Sequence, residues 1–204
     1  MTSEQPLGLV EKRKRNQDQK AQLRRQMLQR VPKGGICVEV GVWRGDFTRI
    51  ILNQVKPDKI ILIDPWKNFD DRTDAFDGKT KDKDFDDIYQ SVCDRYAAEM
   101  ASGQLEIKRG LSQPVLTAMD PGSLSFLYLD GDHSYNGVKA DLRAAFPLMK
   151  QGGIIMMDDY HRRGWWGDGV IRAAHEFLGE YAGDLRIWAM RGAQLAIEKI
   201  DASK

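Results

Sequence analysis

Five short apolar runs constrain this chain more than anything else in it. They are Ile36–Val40, Lys59–Ile63, Leu105–Lys108, Leu124–Leu129 and Ile154–Met157, and each is followed within two residues by a glycine or an aspartate. Helical patterns separate them, at Phe47–Val55, Asp84–Met100, Pro114–Met119 and Val138–Met149, and a further one follows at Val170–Leu178. Strands that are apolar on both sides, alternating with helices, require a mainly parallel sheet covered on both faces. Leu185–Ala189 and Gln194–Glu198 flank Arg191-Gly192 and can pair as a closing antiparallel hairpin.

The expected architecture is therefore α/β: a Rossmann-like, doubly wound, mainly parallel seven-stranded sheet with a C-terminal antiparallel hairpin. In such sheets ligands bind beyond the carboxyl ends of the strands. That rule gathers Glu39 to Gly45, Asp64, Gly110 to Gln113, Asp130 to His133 and Asp158-Asp159 on one edge.

Residues 35–204 suffice for one such domain, preceded by a basic N-terminal extension over residues 1–34. Residues 1–8 read as disordered. From about residue 9 to residue 30 the chain is rich in helix formers, with Leu23, Met27 and Val31 at helical spacing and Leu28 beside them. Pro32 and Gly34-Gly35 end this helix. Capping the sheet, joining copies into a homo-oligomer and covering a substrate site are all open to it. The basic excess from Glu11 to Lys33 and the acidic excess from Asp64 to Asp87 are expected to be solvated faces. The long polar segment Lys67–Asp87 reads as a lid.

With 31 basic and 30 acidic residues, no global field recruits nucleic acid. The run Lys12-Arg13-Lys14-Arg15 has no aromatic beside it, so RNA is a minor reading. No apolar run is long enough to span a bilayer, and the N-terminus lacks the core of a signal peptide. Cys37 and Cys93 are expected to be buried free thiols, which fits a reducing cytoplasm.

The turn after the first strand reads Val38-Glu39-Val40-Gly41-Val42-Trp43-Arg44-Gly45. Glycine there lets the backbone approach a ligand. A dinucleotide fingerprint would need Gly-x-Gly-x-x-Gly. Aligned on Gly41, Glu39 and Arg44 stand where two of those glycines belong, and Glu39 would face a pyrophosphate. The spacing suits an adenosine ligand that carries cationic groups and no phosphate, such as S-adenosyl-L-methionine. Asp64, roughly twenty residues on, is placed to accept from ribose hydroxyls.

Gly41 to Gly45, Asp130-Gly131-Asp132-His133 and the stretch from Gly152 to Tyr160 resemble class I S-adenosylmethionine-dependent methyltransferases. The nearest group is the small bacterial enzymes related to macrocin-type sugar O-methyltransferases, whose long N-terminal region this chain lacks. The resemblance runs from about Gly35 to Phe177. Gly110-Leu111-Ser112-Gln113 is similar to the adenine-side turn of catechol-type O-methyltransferases. The resemblance implies that Glu39 and Gly41, with Trp43, Gly45 and Asp130, line the cofactor, that Asp64 binds the ribose, and that Ser112 and Gln113 flank the adenine. Trp66 is expected to cover the adenosine. The resemblance also implies a divalent cation on Asp130, Asp158 and Asp159.

Adjacent parallel strands lie about 4.8 Å apart. Three carboxylates at their ends repel unless protonated or bridged by a cation. All-oxygen ligation selects Mg²⁺, Ca²⁺ or Mn²⁺ over zinc, and Mg²⁺ is expected because it keeps water sites that an acceptor hydroxyl can replace, which would orient the hydroxyl and ease its deprotonation. Asp130 and His133 are the candidate proton acceptors, imidazole being the side chain that titrates nearest neutrality. Asp132 and His133 could instead cap the helix starting near Tyr135. His161 is a spare ligand or merely exposed, and His175 reads as structural. Trp165-Trp166, in a glycine-bounded loop, either pack on the core or line an apolar or sugar-stacking pocket.

The function expected is metal-assisted O-methylation of a small hydroxylated molecule, a sugar or secondary metabolite. Rivals are a metal-independent methyltransferase using His133 as base and a non-catalytic module that binds an adenosine ligand. A nicotinamide oxidoreductase is weakest, because of Glu39 and Arg44.

Overall fold

The computed structural model describes residues 9–67, 82–162 and 164–201. A seven-stranded sheet forms from β1 (Ile36–Val40), β2 (Lys59–Asp64), β3 (Leu105–Arg109), β4 (Leu124–Leu129), β5 (Met149–Met157), β6 (Leu185–Arg191) and β7 (Gln194–Lys199). Their order is β3-β2-β1-β4-β5-β7-β6. The first five are mutually parallel, while β7 runs antiparallel to both β5 and β6. The sheet is the mainly parallel one expected, closed by the expected hairpin.

Alternation along each strand divides the core in two. Val38, Val40, Ile61, Leu127 and Ile155 point to one face, against α6 (Tyr135–Ala145) and α7 (Gly169–Glu180). Cys37, Leu62, Phe126, Tyr128 and Met156 point to the other, against α1 (Leu9–Arg30), α2 (Asp46–Val55) and α3 (Asp82–Arg95). With both faces covered, the strands have no polar side, which is why they read as unbroken apolar runs. Cys37 and Cys93 are free thiols; Cys37 is buried as expected, which pushes its thiol up to about 12, whereas Cys93 is only half-buried. Among the described residues no helix is long and apolar enough to cross a membrane.

Helix α1 packs against α2 and β6. Met27, Leu28 and Val31 are buried. Arg30 lies over the Trp188 ring at 5.0 Å, and Arg191 donates to Gln26 at 2.9 Å. Part of the basic stretch departs from the solvated face expected of it: the apolar seam is docked and Lys20 and Arg24 turn inward with it, whereas Arg25, Arg30 and Lys33 stay exposed.

Three boundaries differ from the expectation. The pattern from Asp84 to Met100 is two helices, α3 and α4 (Ala97–Ala101), broken at Tyr96. Tyr96 is pulled in because its hydroxyl donates to the Gly45 carbonyl at 2.5 Å. Helix α6 starts at Tyr135, not Val138, because Ser134 caps it by accepting from the Gly137 N–H. Asp132 and His133 are therefore not the cap, although Asp132 accepts from the Ser134 N–H at 2.9 Å. Gly152-Gly153 does not stop a helix but lies within β5, where the pairing with β4 shifts register. Of the segment expected to be a lid, residues 68–81 lie outside the described residues, and from Asp82 the chain is helical.

The strand order reverses between β1 and β4, opening a crevice at their carboxyl ends. Gly41 has φ 83°, and a Cβ there would lie 2.1 Å from the Asp130 carbonyl oxygen. Both the left-handed backbone and the contact across the crevice require glycine. Replacing Gly41 with Ala is expected to destabilise the protein by about 2 kcal/mol or more. Urea denaturation checks this, and an unchanged midpoint would contradict it.

Candidate cofactor and acceptor site

Asp64 organises the turn after β1. Its Oδ2 accepts from the Val42 and Trp43 amides at 2.8 and 2.9 Å, and its Oδ1 from the Trp66 amide at 2.7 Å. Burial pushes this carboxyl up, opposed by the three amides and by Arg109. The bonds hold Trp43 and Trp66 at φ 54° and 40°, which bulky residues rarely adopt. Trp66 does not cover the adenosine position as expected. It is 1% exposed, packs on Tyr89 and donates its indole N–H to the Trp43 carbonyl at 2.8 Å. Its role is to brace the turn from behind. Gly45, at φ 72°, likewise lies behind the wall, where it leads into α2.

Glu39 projects from β1 toward α2 and is almost fully buried. Thr48 Oγ1 donates to it at 2.6 Å. Burial pushes its pKa up to about 8 against that hydrogen bond, with Asp130 and Asp64 adding to the rise. Near neutral pH such a carboxyl is largely protonated.

Ser112 and Gln113 open α5 (Ser112–Thr117). Both donate to Asp141 Oδ1, at 2.5 and 2.7 Å. Asp141 lies in α6, 2% exposed, with its pKa pushed up to about 6 by burial against these two bonds. Asp141 was not singled out in the sequence. Its signal is an acid on the apolar face of a helical pattern, between Val138 and Leu142.

These parts line one cavity of about 760 Å³. Asp64, Ser112 and Gln113 stand with Glu39, Gly41 and Trp43 on its walls, and so do Asp130, His133 and Asp159. Trp165 and Trp166 line it too. The two readings of the tryptophan pair divide between them: Trp166 also packs on the core, whereas Trp165 is 38% exposed. Trp166 lies 5.0 Å from the His133 ring and 5.9 Å from the His161 ring. His175 bonds the Tyr160 hydroxyl at 2.7 Å, away from these groups.

The strand-end carboxylates converge as expected, but on side-chain cations. Lys20 Nζ lies 2.9 Å from Asp158 Oδ2 and 2.5 Å from Asp159 Oδ1. Arg24 pairs with Asp158 Oδ2 and reaches Asp130 Oδ2 at 3.4 Å. Asp158 Oδ1 accepts from Gln194 of β7. Burial alone would push Asp159 up, yet Lys20 with His133 and His161 holds it below the usual carboxylate range. Among the described residues no group of three or more His, Cys, Asp or Glu is arranged to hold a metal ion. Asp158 is 2% exposed with both oxygens engaged. The carboxylates expected to bind Mg²⁺ therefore do not fit a divalent cation as they stand, because Lys20 and Arg24 already meet their charge.

His133 Nε2 lies 3.3 Å from Asp130 Oδ1 and 3.9 Å from Asp159 Oδ2. The first is misaligned and the second too long for a hydrogen bond, so among the described residues this buried nitrogen has no hydrogen-bond partner. Lys20, Arg24 and Gln194 escaped the sequence reading, since each lies far in sequence from the acids it meets.

A parallel sheet closed by an antiparallel hairpin, with a glycine turn after β1 and a carboxylate after β2, defines the class: an S-adenosylmethionine-dependent methyltransferase fold. Residues 38–160 match the family described as methyltransferase domain, and the chain belongs to that family. Similar solved structures include a protein of Corynebacterium glutamicum, with TM-score 0.63 and 17% identity over 98% of this chain and 93% of that one. The O-methyltransferase NovP follows with TM-score 0.62 and 18% identity, covering 87% and 80%. The TDP-rhamnose 3'-O-methyltransferase of calicheamicin biosynthesis has TM-score 0.61 and 18% identity, covering 96% and 88%. At such identities the likeness shows the fold. An uncharacterised protein of Acanthamoeba polyphaga mimivirus is 35% identical over 52 residues, 26% of this chain and 23% of that protein's length.

Glu39 yields a pH prediction. Between pH about 4.5 and 8 the unfolded chain ionises this carboxyl while the native protein keeps it protonated. The native state therefore binds more protons, and stability falls as pH rises through that window. Glu39→Gln keeps the shape and removes the burden. Its melting temperature is expected to exceed that of the parent at pH 8, by roughly 2–4 °C for each kcal/mol relieved, and to match it at pH 4. Calorimetric melts at the two pH values test this. An equal difference at both would exclude ionisation as the cause.

Proposed function

We propose that this protein transfers the methyl group of S-adenosyl-L-methionine to a hydroxyl oxygen of a small, ring-bearing acceptor such as a sugar or secondary metabolite. The observation that carries this reading is the continuity of one cavity, from Asp64 and Ser112 to Asp130, His133 and Trp165. Its volume is in the upper part of the range for small-molecule sites, about 300–1,000 Å³. The names of two fold relatives, an O-methyltransferase and a TDP-rhamnose 3'-O-methyltransferase, support the acceptor class.

In this reading the ammonium of the cofactor's methionine end faces Glu39, its ribose faces Asp64, and Ser112 and Gln113 border the adenine. The acceptor ring rests on Trp165. The acceptor hydroxyl gives its proton to His133 Nε2, with Asp130 as the second candidate base. The hydroxyl oxygen forms a bond to the methyl carbon as the carbon–sulfur bond breaks. The bonding pair stays on sulfur and leaves S-adenosylhomocysteine. The protein's share is alignment and charge management.

Divalent-metal assistance is the second reading, favoured by the three strand-end carboxylates and by the sequence resemblance. It requires Lys20 and Arg24 to leave those carboxylates, so no step is routed through a metal here.

Calorimetry with S-adenosylhomocysteine tests the cofactor half, and a methylation screen of phenols, catechols and sugar nucleotides tests the acceptor half. Saturable binding is expected, weakened about tenfold or more by Asp64→Ala. His133→Ala is expected to lower methyl transfer by about 10²-fold or more while leaving that affinity unchanged. Absence of any binding would overturn the proposal. Binding with no acceptor methylated would favour a non-catalytic module.

A further inference from the structure

Three carboxylates end β4 and β5, and one of them, Asp158, is buried. A buried anion is tolerated only when paired and hydrogen-bonded. Helix α1 supplies the pairing. Lys20 and Arg24 are four residues apart and so share one face of the helix. That face continues into Met27, Leu28 and Val31, the buried seam that docks α1. The cations are thereby delivered by the same contacts that hold the helix.

Arg24 is built in more firmly than a surface ion pair. Its guanidinium lies 5.3 Å from the centre of the Phe47 ring and 5.6 Å from that of Tyr128. It bridges Asp130 to Asp158, as Lys20 bridges Asp158 to Asp159. Arg24 also lines the cavity, and its Nε–H is buried without a partner among the described residues.

We propose that Lys20 and Arg24 are resident counter-cations, standing where a divalent ion would otherwise be needed and making the site independent of added metal. Their consequence for catalysis rests on the methyl-transfer reading above, but their occupancy of the carboxylates does not. Both are positioning residues. They fix Asp130 next to His133 and keep the acidic edge from collapsing or recruiting a metal.

The test is Mn²⁺ binding to the full chain, followed by electron paramagnetic resonance after stripping with chelator. The parent protein is expected to show no saturable binding below about 1 mM, whereas the double variant Lys20→Met, Arg24→Met gains a site at least about tenfold tighter. Adding Asp158→Asn to that variant should abolish the gain. Methionine retains much of the alkyl packing, and thermal melts confirm folding. Arg24→Lys, which keeps a charge, should still exclude Mn²⁺. In methylation assays the parent should be unaffected by EDTA, and the double variant should become dependent on Mg²⁺.

Micromolar Mn²⁺ binding by the parent protein, lost on Asp158→Asn, would overturn the proposal without needing any other variant. So would a folded double variant that binds no Mn²⁺. Failure of the cofactor reading shows separately, as absence of S-adenosylhomocysteine binding in the parent.

Discussion

Positive charge at the carboxyl ends of β4 and β5 is the condition on which this edge of the structure rests. The parallel sheet forces Asp130, Asp158 and Asp159 onto neighbouring strand ends. Desolvation makes their mutual repulsion expensive. Lys20 and Arg24 relieve it, and Gln194 of β7 satisfies the remaining oxygen of Asp158. Helix α1, the core face beneath it and the closing hairpin therefore meet at one cluster. The basic extension is joined to the domain through its apolar seam and through its charges.

The turn on the other side of the crevice depends on a different carboxylate. Asp64 gathers three backbone amides and sets the course of the turn after β1. Trp43, Trp66 and Asp159 all take positive φ, and all three follow a strand at this edge. Backbone strain of this kind persists where surrounding contacts over-determine it, and it concentrates at functional sites. Here the contacts are the Asp64 hydrogen bonds and the Trp66 indole behind Trp43. Asp141 plays a similar bracing part beneath Ser112 and Gln113.

Much of this was legible beforehand. The alternation of apolar runs and helical patterns led directly to the sheet, and the acids and glycines after the strands led to its functional edge. Glu39, Gly41, Asp64, Ser112, Gln113, Asp130, His133 and Asp159 all meet at the cavity. Trp66 misled, because a tryptophan after a strand-end acid can face the ligand or the core, and only packing against Tyr89 and Trp43 decides. Tyr96 and Ser134 shifted helix boundaries through single hydrogen bonds that periodicity does not encode.

By itself, the sequence determined the fold class, the edge of the sheet on which the acids and glycines gather, and the need for protonation or a cation to relieve three strand-end carboxylates. Those follow from local pattern and from the repulsion of like charges, whatever the detailed packing. Which cation meets the need was decided by tertiary structure alone. Lys20 and Arg24 lie more than a hundred residues from Asp130, Asp158 and Asp159. Only the docking of Met27, Leu28 and Val31 brings that face of α1 over the crevice. Two cations of a charge run read as solvated, Lys20 and Arg24, reach the crevice because the apolar residues of their own helix had to be buried.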